Sequence, residues 1–93
     1  MEPSTIIYPV INLNGTSSNE LIEQNKAVWS ALETALQRMR EAMPHGRDFQ
    51  TAGGMFIAEK AQEQRRGWMA EVEKIQANYV SIIEDLIIQD GSR

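Results

Sequence analysis

Apolar residues recur along this chain with two different rhythms. Leu21, Val28, Trp29, Leu32, Ala35, Leu36, Met39 and Met43 return at three- and four-residue spacing, which predicts an amphipathic helix with one continuous apolar stripe. Further on, Ala58, Ala61, Arg65, Trp68, Val72, Ile75, Tyr79, Ile82 and Leu86 alternate three and four without a break, the period of a coiled-coil seam. Before both, Ile6, Ile7, Tyr8, Val10 and Ile11 are β-branched or aromatic, and Pro3 and Pro9 exclude a helix.

These patterns predict a single all-α domain over 1–93, an antiparallel two-helix hairpin preceded by an extended N-terminal arm. The arm covers 1–16 and closes in the turn chemistry of Asn14-Gly15. Helix one is expected over 17–43, because Ser17 with Glu20 three residues on forms a capping box and Pro44 stops the run. The connection, 44–54, holds a proline and three glycines. Helix two is expected over 55–89. At 1.5 Å per residue it measures about 50 Å against about 40 Å for helix one, so one partner cannot cover it.

A second apolar line, Met69, Val80, Ile83 and Ile87, runs beside the seam of helix two. A hairpin has one inner face, so a helix apolar on two sides needs another surface to bury the second. In a chain of 93 residues the expected surface is another copy, which makes the protein a homo-oligomer.

Composition narrows the chemistry. Nine Lys and Arg against 13 Asp and Glu give a net charge of -4, which opposes unspecific attraction to a nucleic-acid polymer or to an anionic membrane. An anionic ligand then needs a local cluster of donors. There is no cysteine, so disulfides, thiolate metal sites and thiol nucleophiles are excluded together, and a lone His45 argues against a metal cage. The N-terminus lacks a basic region followed by a continuous apolar run, so export is not expected. The most apolar stretch, Ile82 to Ile88, contains Glu84 and Asp85, so no membrane span is expected.

Candidate chemistry concentrates in two places, with a cation in a third. Asn12-Leu13-Asn14-Gly15-Thr16-Ser17-Ser18 sets amides, hydroxyls and a glycine before a helix N-terminus, whose unpaired N–H groups and partial positive charge suit a phosphate. Tyr8 lies upstream as a stacking face for a base, and Lys26 follows inside the helix. The alternative is plain architecture, with a turn, a cap and a core tyrosine. In the connection, Gly46-Arg47-Asp48-Phe49 offers a guanidinium fork beside a carboxylate, which suits a phosphate or base edge or else rigidifies a turn. Arg65, beside Arg66 and Gly67, occupies a seam position, where a cation either reaches solvent, meets Glu59 or Glu63, or holds an anion near a symmetry axis.

Nothing points to catalysis. No Ser-His-Asp order, metal-ligand spacing, Walker loop or G-x-G-x-x-G occurs, and a two-helix hairpin has few clefts. The acids Glu33, Glu41, Glu59, Glu63, Glu71 and Glu84 fall largely outside the stripes and read as a solvated face. No enzyme activity and no cofactor are expected.

An arm reading Tyr8-Pro9-Val10-Ile11-Asn12-Leu13-Asn14-Gly15-Thr16-Ser17, then a helix, then Gly46-Arg47-Asp48-Phe49 and a second helix, resembles the bacteriophage anti-defence sponges. These small helical-hairpin proteins sequester the cyclic oligonucleotide signals of the CBASS immune system, and relatives absorb the cyclic ADP-ribose signals of Thoeris. The resemblance spans nearly the whole chain. It implies a hexamer in the cytoplasm of the infected bacterial host, holding cyclic dinucleotides uncut between protomers, and in some members cyclic trinucleotides on a threefold axis. It further implies that Tyr8 stacks on a base, that Asn14, Gly15, Thr16 and Ser17 surround phosphate or ribose, and that Lys26 pairs with a phosphate. Arg47 and Asp48 would close the pocket, and Arg65 or Arg66 would serve the trinucleotide. Related loops often carry asparagine before Gly-Arg-Asp, where this chain has His45. The rival expectation is a structural or protein-interaction module whose seam and outer stripe dock a partner helix.

Overall fold

A computed structural model describes residues 5–12, 15–45 and 55–91. Asn14, Arg47 and Asp48, three of the candidate site residues, lie outside them, as does the rest of the Gly46 to Gly54 connection. Among the described residues the chain forms helices and no strand: α1, Ser18–Glu41, and α2, Met55–Gly91, packed against each other. The molecule measures 62 × 28 × 18 Å. No helix among the described residues is long and apolar enough to cross a membrane.

Helix α1 starts where its capping chemistry places it. Ser17 has extended backbone angles, φ -61° and ψ 155°, and its Oγ accepts from the Glu20 N–H at 3.2 Å, satisfying one of the orphan donors of the first turn. The helix ends at Glu41, with Ala42 as its C-cap and Arg38 and Arg40 in the last turn, where cations favour the negative end of the macrodipole. It therefore stops before Met43, short of the expected limit of 43, because the backbone leaves helical geometry ahead of Pro44. Helix α2 runs two residues past the expected 89, to Gly91.

The two helices run antiparallel. Ser18 at the start of α1 meets Asp90 near the end of α2, and Gln62 near the start of α2 donates to the Pro44 carbonyl at 2.7 Å. Each helix turns a 3-4 column inward. On α1, Ser18, Ile22, Asn25, Trp29, Leu32, Leu36, Met39 and the following Met43 are all buried or half-buried. On α2 the column is Ala58, Gln62, Arg65, Met69, Val72, Gln76, Tyr79, Ile83 and Leu86. Among the described residues, the apolar side chains almost wholly out of water are Leu36, Ala58 and Leu86, at 0 to 1 % exposed.

That α2 column corrects the expected seam. Ala58, Arg65, Val72, Tyr79 and Leu86 belong to it, but Trp68 and Ile75 do not: they are 46 % and 45 % exposed. Their places are taken by Met69 and Gln76, one residue further on. Met69 and Ile83, expected on the outer line, are half-buried. The physical reason lies in amides that find acceptors across the hairpin. Gln76 is only 7 % exposed, and its Nε2 donates to the Trp29 carbonyl at 3.3 Å and to Glu33 Oε1 at 3.4 Å. Gln62 does the same towards Pro44. Buried amides are tolerated when they are hydrogen-bonded, and both are. On α1, Val28 and Ala35 are likewise exposed, while Ser18 and Asn25 turn inward.

Apolar side chains also remain on the outer surface of α2 among its exposed charges. Trp68, Ile75, Val80, Ile87 and Ile88 all stay substantially exposed within the single chain. The Arg65 guanidinium lies over the Trp68 ring, 4.9 Å from its centroid, and also donates to Gln64 Oε1 at 2.7 Å.

Candidate functional site

The end of the hairpin where α1 begins and α2 finishes gathers most of the described candidates. Residues 5–12 belong to neither helix, yet they are tied to α2 by one side chain. Gln89 Oε1 accepts from the Ile11 N–H at 3.0 Å, and Gln89 Nε2 donates to the Pro9 carbonyl at 2.9 Å. One amide thus pairs with a carbonyl and an N–H two residues apart, as a neighbouring strand would. Asp85 Oδ2 accepts from the same Nε2 at 2.7 Å, which fixes the amide the right way round.

The next residue makes the second tie. The Ser18 hydroxyl donates to Asp90 Oδ1 at 2.6 Å, anchoring the first turn of α1. Gly15 N–H donates to the Asn12 carbonyl at 3.4 Å, and Asn12 Nδ2 donates to the Val10 carbonyl at 3.3 Å. The Asn12 amide lies so close over Gly15 that an added Cβ would come within 3.1 Å of Nδ2. A larger residue there would require the Asn12 side chain to shift by a few tenths of an ångström, so Gly15 serves its close approach.

Tyr8 carries the exposed aromatic ring of this end, 41 % accessible, one residue before the Pro9 carbonyl that Gln89 holds. Asn12, Gly15, Thr16 and Ser17 are also exposed. Ser17 Oγ already accepts as the cap, so what it offers a ligand is its O–H donor, one remaining lone pair and the neighbouring helix N–H groups. Lys26 is exposed two turns along α1, about 12 Å from Ser18 by helical rise. The end is therefore a surface ledge of aromatic ring, turn and helix N-terminus.

Arg65 and Arg66 are not brought to it. They sit near the opposite end of α2, about 36 Å from Gln89 along the helix axis, with Arg65 half-buried against Trp68 and Arg66 exposed. Neither Glu59 nor Glu63 forms a described ion pair with Arg65. Its described partners are Gln64 and Trp68. Close by, Ile57, Lys60, Ala61, Glu63 and Gln64 line a shallow open depression, and Lys60 stands over the Phe56 ring at 5.2 Å. The acids Glu33, Glu41, Glu59, Glu63, Glu71 and Glu84 are all exposed.

Sequence reasoning missed Gln89, Asp90 and Ser18 as the residues that assemble this end. A faint signal exists: glutamines at 62, 76 and 89 recur near heptad intervals inside an otherwise apolar helix, and polar residues kept on such a helix commonly have partners. In comparison with known proteins, the chain matches no family model, no curated protein and no solved structure.

Proposed function

We propose that this chain is a sponge: a non-enzymatic homo-oligomer that binds cyclic oligonucleotide second messengers and holds them uncut. The ligand class is cyclic dinucleotides, with cyclic trinucleotides at a separate site, and the setting is the cytoplasm of a phage-infected bacterium. The observation that carries the reading is that consecutive residues, Gln89 and Asp90, bring the segment bearing Tyr8 and the N-terminus of α1 to one end of the hairpin. A base stacks on an exposed aromatic ring, and a phosphate is favoured by helix N–H groups, so the pair suits a nucleotide.

Charge and assembly support the same reading. With a net charge of -4, attraction to phosphate has to be local, and a helix end with Lys26 beside it is a local source. Exposed Trp68 and Ile75, seven residues apart on one face of α2, give a second copy something to bury. A hexamer is the assembly that the resemblance to the anti-defence sponges implies. On this reading Arg47 and Asp48 complete the dinucleotide pocket, while Arg65 or Arg66 attends the trinucleotide.

Calorimetry against a panel of cyclic di- and trinucleotides tests it, followed by heat denaturation and analysis of the released nucleotide. Binding with return of intact nucleotide is expected. Hydrolysed product would make the protein an enzyme. No binding would favour the second reading, an interaction module, which the same exposed stripe on α2 recommends as a docking face for a partner helix.

A further inference from the structure

The polar side chains of the hairpin end fall into two groups, those that face outward and those that hold the backbone. Gln89 belongs wholly to the second. It is half-buried, and its amide is engaged on both sides, through Oε1 with the Ile11 N–H and through Nε2 with the Pro9 carbonyl and Asp85 Oδ2. Both N–H donors are used, and the one lone pair left on Oε1 has nothing to offer an anionic phosphate. Yet the segment it holds carries Tyr8, and the residue after it, Asp90, holds Ser18. The relation between the aromatic ring and the helix N-terminus is therefore set by two adjacent side chains on α2.

We infer that Gln89 is the positioning residue of the nucleotide site, fixing residues 8–12 against α2 so that the Tyr8 ring is in place before ligand arrives. The inference rests on the sponge reading and adds to it a residue that touches no ligand. The physical basis is preorganisation. A segment without helix or strand of its own must otherwise be ordered by the ligand, and the ordering cost is subtracted from affinity. Asp85 completes the device, since its carboxylate accepts from Nε2 and prevents the amide from flipping.

Gln89→Leu keeps the side-chain volume and removes both hydrogen-bonding functions. Its affinity for cyclic GMP-AMP and cyclic di-AMP, the probes used, is expected to fall about tenfold or more, the scale set by losing two hydrogen bonds of ordinary net strength. Helix content by circular dichroism and the assembled mass are expected to stay as in the native chain. Amide exchange at Ile11, read without ligand, is expected to speed up in the variant because its acceptor is gone.

The decisive readout is a double-mutant cycle. If Gln89 acts through the Tyr8 ring, Gln89→Leu is expected to cost almost nothing further in a Tyr8→Ala background, whereas a merely structural loss would add to it. A native chain that binds and a Gln89→Leu chain that binds equally well would overturn the assignment alone. So would full additivity in the cycle, or an Ile11 amide as protected in the variant as in the native chain. A native chain that binds neither probe, nor any member of the wider panel, would overturn the sponge reading and this assignment with it.

Discussion

The Ser18 hydroxyl and the Asp90 carboxylate meet at 2.6 Å, joining the first residue of α1 to the penultimate residue of α2. The carboxylate also faces the positive end of the α1 macrodipole, which favours its charge. Ser18→Ala is expected to destabilise the chain by about 1 kcal/mol, the net worth of one such hydrogen bond, read as a lower urea midpoint by circular dichroism. A midpoint unchanged from the native chain would show that Asp90 does not hold α1.

The dry core is small, so its members should be disproportionately costly to remove. Leu36→Ala and Leu86→Ala each delete a side chain at 0 to 1 % exposure, and each is expected to cost about 2 to 5 kcal/mol. Ala35→Ser, one position from Leu36 but exposed, is expected to stay within about 0.5 kcal/mol. Thermal melts of the three variants beside the native chain check the contrast. Equal effects at 35 and 36 would place the helix face wrongly.

Gly67 lies inside α2, and a Cβ built there meets nothing within 4 Å. Replacing it with alanine is expected to stabilise the hairpin by about 1 kcal/mol, since glycine is the poorer helix former by that amount. The melting midpoint should rise. A fall, accompanied by loss of assembled mass, would mean that a neighbouring copy packs directly on this stretch of backbone.

Trp68 and Ile75 form the most exposed part of the column once expected to be the seam. The double variant Trp68→Gln, Ile75→Gln leaves the inner column intact and is expected to convert an assembled native protein to a single chain of 10.5 kDa in light scattering, with helix content retained. An assembly indifferent to both changes would remove this stripe from the contact between copies.

Gln76 is the opposite case, a polar residue turned inward. Its hydrogen bonds, at 3.3 and 3.4 Å, are long, and the Trp29 carbonyl already lies within a helix that can satisfy it. Gln76→Leu is expected to raise the denaturation midpoint by about 1 kcal/mol in stability, through apolar burial. A loss instead would show that the amide is needed to set the register of the two helices.

Two packed helices, and the start of the first, are legible in the sequence because each rests on local chemistry: a 3-4 rhythm, a serine three residues before a glutamate, a proline after Met43. The inward column of α2 is not. Ala61 and Ile75 are more apolar than Gln62 and Gln76, and Trp68 and Ile82 differ little in apolar character from Met69 and Ile83, so hydrophobicity alone does not choose the inward column. The facing carbonyls at Trp29 and Pro44, which become partners only after the helices pack, are what allow Gln76 and Gln62 to lie on the inward column. At the candidate site, the Ser17 cap is legible for the same local reason. The grip of Gln89 on Pro9 and Ile11 spans about 80 residues of sequence and leaves no local trace.

Gln62 closes one end of the hairpin with an uncharged amide, and at the other end the Asp85 and Asp90 carboxylates accept only from neutral donors, on Gln89 and Ser18. Raising ionic strength weakens the grip of cations and helix ends on a phosphate but leaves amide pairs almost untouched. On the sponge reading, a salt titration is therefore expected to strip the anionic guest from a host that keeps its shape, so discharge would require no opening of the rod.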